Sequence, residues 1–290
     1  MQITHAYLKE HGLLPRKAAA QYLLTDSAVV DATVRALDIR PGDSILEIGA
    51  GLGALTERIV REIDTIPEPR PSLVSVEIDQ RYADVLRSRF GGRPWFRVLQ
   101  QDILGLDFRG AFAGPGKVAG NIPYYISGPI LRLLFDHHDV ITDIVIMLQK
   151  EVGMRVAAMP SGEQFGLLSI MRLLHYDAEV VRQVDRRLFL PVPRVDSVVI
   201  KLHVHSPLIS GEDEHTLIGI LKYAFSGRRK MLRNTLKPLG GMPEVAAWCR
   251  QADIDLQDRA ENIDLDRWIR FLHAYNRGSG THPEHSGKNC

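Results

Sequence analysis

Residues 44–55 read SILEIGAGLGAL. The stretch begins as an apolar run with β-branched residues, typical of a buried strand, and continues into glycines at positions 49, 51 and 53 before a helical pattern. Glycines let the backbone turn sharply and approach a ligand without an intervening Cβ, beside a helix N-terminus. Gly49 and Gly51 with Ala54 also satisfy the dinucleotide pattern G-x-G-x-x-A. The loop alone therefore leaves the nature of the ligand open.

Similar strand-like runs recur along the chain, with helical patterns between them. They are SLVSVEID (72–79), WFRVLQQD (95–102), KVAGNIP (117–123) and DIVIMLQ (143–149). Strands and helices that alternate at this spacing predict βαβ units and a parallel sheet covered on both faces. Two later runs, AEVVRQV (178–184) and SVVIKLHV (197–204), predict an antiparallel pair at the sheet edge. The predicted fold class is therefore α/β.

The strand pattern ends near Pro207, and the following sequence has helical periodicity with a break at Gly240-Gly241. We therefore expect an α/β domain over residues 1–206 and a small all-α domain over residues 207–275. Residues 276–290 are polar and rich in glycine, which predicts a disordered tail.

Composition limits the class of protein. The chain has 290 residues, of which 45% are hydrophobic and 24% charged, values that are ordinary for a globular protein. It has neither the run of roughly 18 apolar residues that a membrane span needs nor a signal-peptide pattern. Its two cysteines are too few for a disulfide framework. We therefore expect a cytoplasmic protein without membrane association, and we assign no residue to a metal site.

The formal net charge of +1 conceals an uneven distribution. From Arg182 to Lys237 there are eleven Lys and Arg residues against five Asp and Glu, whereas Pro238 to Arg270 carries four against seven. A basic segment within a nearly neutral chain favours a surface that faces a polyanion. The alternative is an ordinary solvated helix face.

Two acidic residues end predicted strands at the edge that holds the glycine loop. Glu77 ends the second strand, where a carboxylate can accept hydrogen bonds from both hydroxyls of a ribose. Asp102 ends the third strand, where it can accept from an adenine amine. Open α/β sheets bind ligands at the carboxyl ends of their strands. The sequence therefore predicts a ligand that contains adenosine, whether or not the glycine loop binds a dinucleotide.

The fourth predicted strand ends in Asn121-Ile122-Pro123-Tyr124 at the same edge. The side-chain oxygen of Asn121 and the carbonyl oxygen of Ile122 can both accept from one NH₂ group. Pro123 restricts the turn and helps to aim that carbonyl, and Tyr124 offers a ring on which a base can stack. Accepting both hydrogens of an adenine amine frees its lone pair for attack on an electrophile. S-adenosyl-L-methionine fits, because it carries both adenosine and a reactive methyl group.

These residues and several longer stretches resemble the small-subunit (16S) ribosomal RNA adenine N6,N6-dimethyltransferase family, known in bacteria as the kasugamycin-resistance methylase. The resemblance runs from about Arg16 to about Leu272. It is carried by QYLLTD (21–26), ILEIGAGLGALT (45–56), VEID (76–79), QDIL (101–104), GNIPYYISGPIL (120–131), LQKEV (148–152), PVPRVDSVVIKL (191–202) and AFSGRRKMLRNTL (224–236). It implies a Rossmann-like class I methyltransferase domain that uses S-adenosyl-L-methionine, followed by a small all-α domain.

The resemblance also implies a substrate. Members of the family dimethylate two adjacent adenosines in a 3′-terminal hairpin of small-subunit rRNA, within an assembling 30S particle. We accordingly expect a monomer that acts in ribosome biogenesis.

The resemblance further assigns roles to individual residues. It implies cofactor contacts from Tyr22, Leu24, Gly49, Gly51, Glu77, Asp102 and Asn121. Most members have Asn where this chain has Tyr22, so we expect that contact to be made through the backbone. Phe189 would join the catalytic residues 121–124 as a second aromatic, stacking on the extruded base opposite Tyr124. Phosphate contacts would come from Arg228, Arg229, Lys230 and Arg233.

Three alternatives stay open at this point. A large-subunit rRNA adenine methylase of the macrolide-resistance type shares the motif at 121–124, although residues 191–202 and 227–236 favour the small-subunit enzyme. A non-catalytic ribosome-assembly factor would retain the fold, but Glu77, Asp102 and Asn121 are all present and argue against lost catalysis. A dinucleotide oxidoreductase would explain the glycine loop but has no use for the motif at 121–124.

Overall fold

The computed structural model describes residues 5–15, 21–160, 162–227 and 230–279. Its helices are α1 (His5–Glu10), α2 (Ser27–Leu37), α3 (Ala54–Thr65), α4 (Gln80–Phe90), α5 (Phe108–Ala111), α6 (Ser127–Asp136), α7 (Lys150–Ala157), α8 (Leu167–Leu173), α9 (Gly211–Ala224), α10 (Leu232–Thr235), α11 (Met242–Gln251) and α12 (Leu265–Ser279). Its strands are β1 (Leu23–Leu24), β2 (Ser44–Ile48), β3 (Ser72–Glu77), β4 (Phe96–Gln100), β5 (Gly116–Asn121), β6 (Ile141–Gln149), β7 (Tyr176–Val184), β8 (Phe189–Leu190) and β9 (Ser197–Val204). Within those ranges, none of the helices has the length and apolar character that crossing a lipid bilayer requires.

The seven longer strands form one sheet in the order β4-β3-β2-β5-β6-β9-β7. The five strands from β4 to β6 in this order are mutually parallel, whereas β9 runs antiparallel to both β6 and β7. Every residue of β2 is buried, as expected for a central strand that is covered on both faces. The predicted α/β fold class is confirmed, and so is the antiparallel pair at the edge.

The strand order reverses between β2 and β5. From β2 the chain proceeds outward through β3 to β4, and it then returns to place β5 on the other side of β2. Ile48, the last residue of β2, is paired with Gly120. The glycine loop, which follows β2, therefore starts next to Asn121, which ends β5. In open α/β sheets such a reversal creates the crevice in which ligands bind.

Two very short strands form a separate antiparallel pair that the sequence did not predict. Leu23 of β1 is paired with Leu190 of β8, and Leu24 is paired with Phe189. A strand of two residues is too short to produce a recognisable period-two pattern. This pair ties the segment before α2 to the segment before β9.

The chain divides into two compact units. The first comprises the described residues of 1–157 and 175–206, and the second comprises those of 158–174 and 207–290. Residues 158–174 had been assigned to the first domain from the sequence, and that assignment is wrong. Phe165, Ile170 and Leu174 pack into the same apolar core as Leu221 of α9, so burial of their side chains places the segment in the second unit.

The boundary of the tail also differs from the prediction. Helix α12 continues to Ser279, beyond the predicted domain end at residue 275. Asn276 donates a hydrogen bond to the carboxylate of Asp213 at 2.8 Å, and Arg277 donates one to Gln251 at 3.0 Å. These contacts within the second unit hold the last helical turn. The rest of the predicted tail, residues 280–290, lies outside the described residues.

Gly120→Ala should destabilise the first unit. A Cβ at position 120 would lie 2.5 Å from the carbonyl oxygen of Ile48. That oxygen cannot move away without disturbing the pairing of β2 with β5. We expect the free energy of unfolding to fall by about 1–3 kcal/mol in urea titrations followed by circular dichroism. Gly92→Ala is the control, since a Cβ there would meet no atom within 4 Å. Equal unfolding midpoints for the two variants would contradict the prediction.

Candidate active site

A cavity of about 180 Å³ lies in the first unit, at the carboxyl ends of β2, β3 and β5. It coincides with the point where the strand order reverses. Most of the positions singled out from the sequence contribute to its wall. Those that do are Tyr22, Gly49, Gly51, Glu77, Asp102 and Asn121–Tyr124, and further lining residues include Gln21, Ile78, Tyr82 and Tyr125.

The glycine loop forms one wall of the cavity through its backbone. Gly49, Gly51 and Gly53 have φ angles of 67°, 56° and 84°, in the left-handed region that side chains rarely adopt. A Cβ on Gly49 would lie 3.4 Å from the carbonyl oxygen of Asn121, so the two strand ends approach closely here. The backbone N–H of Gly51 donates to Glu77 Oε2 at 2.7 Å. The loop therefore holds the carboxylate of the neighbouring strand.

Glu77 is fixed at both of its carboxylate oxygens. Besides the bond from Gly51, Oε1 accepts from the backbone N–H of Asp79 at 2.9 Å. The side chain is only 6% exposed, and this burial is the main cause that raises the pKa of Glu77 above its ordinary value. A carboxylate oxygen can accept more than one hydrogen bond, so both oxygens retain capacity toward the cavity. That arrangement suits a ligand with two neighbouring hydroxyls.

Asp102 lies two residues beyond the end of β4 and is exposed. Its Oδ1 accepts from the backbone N–H of Leu104 at 3.0 Å and begins a short 3₁₀ helix over Ile103–Gly105. This contact sets the direction of the carboxylate. Asp102 and Glu77 line the same cavity, as their positions at the ends of neighbouring strands predict.

Asn121 is oriented by the backbone of Tyr22. Asn121 Nδ2 donates to the carbonyl oxygen of Tyr22 at 3.3 Å, while no described residue donates to Asn121 Oδ1. The backbone N–H of Ile122 donates to the carbonyl oxygen of Met147 at 3.1 Å, which extends the pairing with β6 by one residue. Pro123 then turns the chain with φ −58° and ψ 129°. The carboxamide oxygen is thus left to accept from a group in the cavity.

Tyr124 is held at both its hydroxyl and its ring. Its hydroxyl is hydrogen-bonded to the hydroxyl of the fully buried Ser197 at 2.7 Å. Burial raises the pKa of Tyr124 above its ordinary value, so the phenol stays protonated. Its ring stacks on the ring of Tyr22, with centroids 5.3 Å apart and an interplanar angle of 27°. Neither Ser197 nor the ring of Tyr22 had been assigned a role from the sequence.

Two predicted site residues do not line this cavity. Phe189 is only 2% exposed and packs in the core of the first unit with Met147 and Val199. In this structure β8 directs the side chain into the core, and the assignment of Phe189 as a ring that faces Tyr124 stays a prediction. Leu24, its partner in the β1–β8 pair, lies instead on a smaller cavity of about 60 Å³ behind the glycine loop.

Of the four residues predicted to contact RNA phosphates, two lie within the described part of the second unit. Arg228 and Arg229 lie outside the described residues. Lys230 and Arg233 are both exposed, and Arg233 lies in the short helix α10. The backbone N–H of Arg233 donates to the carbonyl oxygen of Leu256 at 2.9 Å, which anchors the start of that helix.

Glu47 is a further acidic residue, which lines the smaller cavity behind the glycine loop and has no role assigned from the sequence. It is the fourth of the five residues of β2 and is 1% exposed. Its Oε2 accepts from the hydroxyls of Thr56 at 2.7 Å and Ser75 at 2.6 Å, but no described residue donates to Oε1. Burial raises the pKa of Glu47 to about 7. The sequence signal for a buried acid of this type is an acidic residue inside an apolar run, here 44–48.

Comparison with known proteins agrees with this geometry. The family model described as "Ribosomal RNA adenine dimethylase" matches residues 14–277. The chain belongs to the ribosomal RNA adenine dimethylase family. It is 38% identical to the ribosomal RNA small subunit methyltransferase A of Geobacter metallireducens, over 92% of this chain and 98% of that protein. It is 37% identical to the protein of the same name from Picosynechococcus sp., over 88% of this chain and 95% of that protein.

Solved structures place the chain among methyltransferases. A dimethyladenosine transferase from Plasmodium falciparum is 26% identical, with a TM-score of 0.71 over 89% of this chain and 98% of that one. The 23S rRNA methyltransferase ErmE is 24% identical, with a TM-score of 0.67 over 88% of this chain and 99% of that one. The likeness to ErmE therefore concerns the fold, whereas the relatives quoted above are named for the small subunit. The predicted Rossmann-like methyltransferase fold and the family resemblance are confirmed.

Glu47→Gln should increase stability at pH 8 and change it little at pH 5. The pKa of Glu47 in the folded protein, about 7, lies above its reference value of 4.5, so the wild type loses stability as pH rises through this interval. The amide oxygen can still accept from Thr56 and Ser75. We expect thermal or urea unfolding to show a gain of roughly 1–3 kcal/mol at pH 8.

Glu179→Gln, on an exposed position of β7, is the control and should give the same small difference at both pH values. A Glu47→Gln effect that is equal at pH 5 and pH 8 would show that ionisation of Glu47 does not limit stability.

Proposed function

We propose that this protein transfers methyl groups from S-adenosyl-L-methionine to the N6 amines of two adjacent adenosines in a 3′-terminal hairpin of small-subunit (16S) rRNA. The observation that carries the proposal is the orientation of Asn121. Its amide N–H is engaged by the carbonyl of Tyr22, which leaves the carboxamide oxygen for a hydrogen-bond donor in the cavity. An exocyclic amine is such a donor, and its hydrogens need two acceptors on one side.

The residues around the cavity fit the cofactor. Glu77, held by two backbone N–H groups, would accept from the two ribose hydroxyls, and Asp102 would accept from the adenine amine. Gly49 and Gly51 would let the backbone approach the cofactor where a Cβ would intrude. When bound, S-adenosyl-L-methionine supplies a methyl group activated by its sulfonium.

The chain's own groups would prepare the attacking amine. In the first transfer Asn121 Oδ1 and the carbonyl oxygen of Ile122 would accept the two hydrogens of the amine, and in the second transfer one of them would accept the single hydrogen that remains. This draws the nitrogen toward a tetrahedral geometry and frees its lone pair, and the proton that each methylated amine loses would pass to solvent. Tyr124 would supply the face on which the extruded base stacks, worth roughly 1–3 kcal/mol. A base within a stacked helix is inaccessible, so extrusion has to precede methyl transfer. Holding the amine and the methyl group in line would provide much of the rate acceleration.

The second unit would contribute to RNA binding. Lys230 and Arg233 are exposed and lie in the segment with the local excess of positive charge. Contacts between basic side chains and phosphates position an RNA without reading its sequence. We further propose that the substrate is the assembling 30S particle, that the protein is a cytoplasmic monomer, and that it acts in ribosome biogenesis.

The direct test incubates small subunits that lack this modification with the protein and S-adenosyl-L-methionine. Mass spectrometry of nuclease-digested rRNA should reveal N6,N6-dimethyladenosine at two adjacent positions near the 3′ end. Large subunits treated in parallel should gain none. Methylation of the large-subunit RNA alone would support the macrolide-resistance type of activity, and absence of transfer to either would support a non-catalytic assembly factor.

Asn121→Ala should reduce methyl transfer by at least about 100-fold, the range found when one preorganised hydrogen-bonding group is removed from an active site. The affinity for S-adenosyl-L-methionine, measured by calorimetry, should change only a few-fold. Asn276→Ala, an exposed position on α12, is the matched control and should keep wild-type turnover. Near-normal turnover of Asn121→Ala would remove this residue from the mechanism.

The double variant Lys230→Ala and Arg233→Ala should bind RNA more weakly and with a smaller dependence on salt. Removing one interaction between a basic side chain and a phosphate should reduce the slope of log K against log salt by about 0.7–0.9. The matched control removes two other exposed positive charges of the second unit, by Arg250→Ala and Arg259→Ala. An equal change of slope in both double variants would indicate a general charge effect without a defined phosphate site.

A further inference from the structure

The ring of Tyr22 covers a face of Tyr124 in this structure. Aromatic side chains with centroids 4.5–7 Å apart are in direct contact, and these two are 5.3 Å apart and nearly parallel. No base can lie between two rings that already touch. If Tyr124 is the stacking platform of the proposed function, Tyr22 competes with the target base for this face.

The two rings differ in how firmly they are fixed. The hydroxyl of Tyr124 is bonded to the buried Ser197 at 2.7 Å, and its backbone lies in a 3₁₀ turn over Tyr124–Ile126. The hydroxyl of Tyr22 makes no hydrogen bond within the described ranges, and its backbone lies outside any helix or strand. Tyr22 is therefore the ring that can move while Tyr124 stays in place.

Space is available on either side of Tyr22. Tyr22 lines both the main cavity of about 180 Å³ and the smaller cavity of about 60 Å³ behind the glycine loop. Tyr22 is only partly buried against the apolar core of the first unit, so a change of χ1 can move its ring toward either cavity. Its carbonyl can meanwhile keep the bond to Asn121 Nδ2, since rotation about χ1 leaves the backbone where it is.

We propose that the ring of Tyr22 occupies the target-base position on Tyr124 before substrate binds and is displaced by the extruded adenine. This inference rests on the proposed function, and it makes Tyr22 a residue that sets the affinity for the base. Its carbonyl orients Asn121 in both states, and its side chain has the separate task of covering Tyr124. The contact between the rings is broken each time a base enters, so the contact lowers the affinity for the base.

The test measures equilibrium binding of two hairpin RNAs in the presence of S-adenosylhomocysteine, so that no methyl transfer occurs. One hairpin carries two adjacent adenosines in its loop, and the other carries abasic sites at both positions. Tyr22→Ala and Tyr22→Leu should bind the intact hairpin about 3- to 10-fold more tightly than the wild type. Both should bind the abasic hairpin within about two-fold of the wild type, and Tyr22→Phe, which keeps the ring, should match the wild type on both RNAs.

The comparison of the two hairpins gives a result that a purely structural role would not produce. Unchanged or weaker binding of the intact hairpin by Tyr22→Ala and Tyr22→Leu would overturn the proposal, and weaker binding would make Tyr22 a wall of the base site. Equal changes on intact and abasic RNA would also overturn it. Because these measurements need no turnover, they are independent of the methylation assay, in which failure of the wild-type protein would refute the proposed function.

Discussion

The parallel pairing of β2 with β5 is the constraint on which the rest of the site depends. Ile48 and Gly120 lie opposite each other at the end of this pairing, and the absence of a Cβ on Gly120 lets the two backbones approach. Gly49, the first residue of the glycine loop, consequently lies next to Asn121, although the two residues are more than 70 positions apart in sequence. Because β3 adjoins β2 on its other side, Glu77 reaches the backbone of Gly51. With Asp102 beyond the end of β4, the ends of four strands thus line a single cavity.

The same packing buries two carboxyl groups, one beside each of the two cavities. Glu47 and Glu77 lie on neighbouring strands and are both buried, and their pKa values are raised mainly by removal from water, with a smaller contribution to Glu47 from the charge of Glu77. Backbone N–H groups and two hydroxyls offset part of this penalty. A cationic ligand would offset more of it, because an opposite charge nearby favours the ionised carboxylates. The proposed cofactor, with its sulfonium and ammonium groups, has the matching charge.

The features that could be predicted from the sequence are those with a repeated pattern or a local chemical cause. The long strands, the position of the glycine loop and the acids at strand ends all belong to this group. The placement of residues 158–174 in the second unit does not, because it depends on where Ile170 and Leu174 find an apolar core. The direction of Phe189 likewise follows from the β1–β8 pair, which involves two residues on each side and leaves no pattern. A resemblance can assign a role to an aromatic residue, but packing decides which way the ring points.

At Tyr22 the sequence predicts a contact made by the backbone, whereas only packing reveals what the side chain touches. A backbone contact from Tyr22 to the cofactor stays a prediction, but in the structure its carbonyl oxygen already accepts a hydrogen bond from Asn121 Nδ2. A carbonyl is common to every residue, so that contact places no requirement on the side chain. The side chain is then available for a different interaction. In this chain it meets the ring of Tyr124 at 5.3 Å, on the residue where the proposed substrate would stack. A position whose backbone contact is fixed can thus acquire a new effect on substrate binding through its side chain alone.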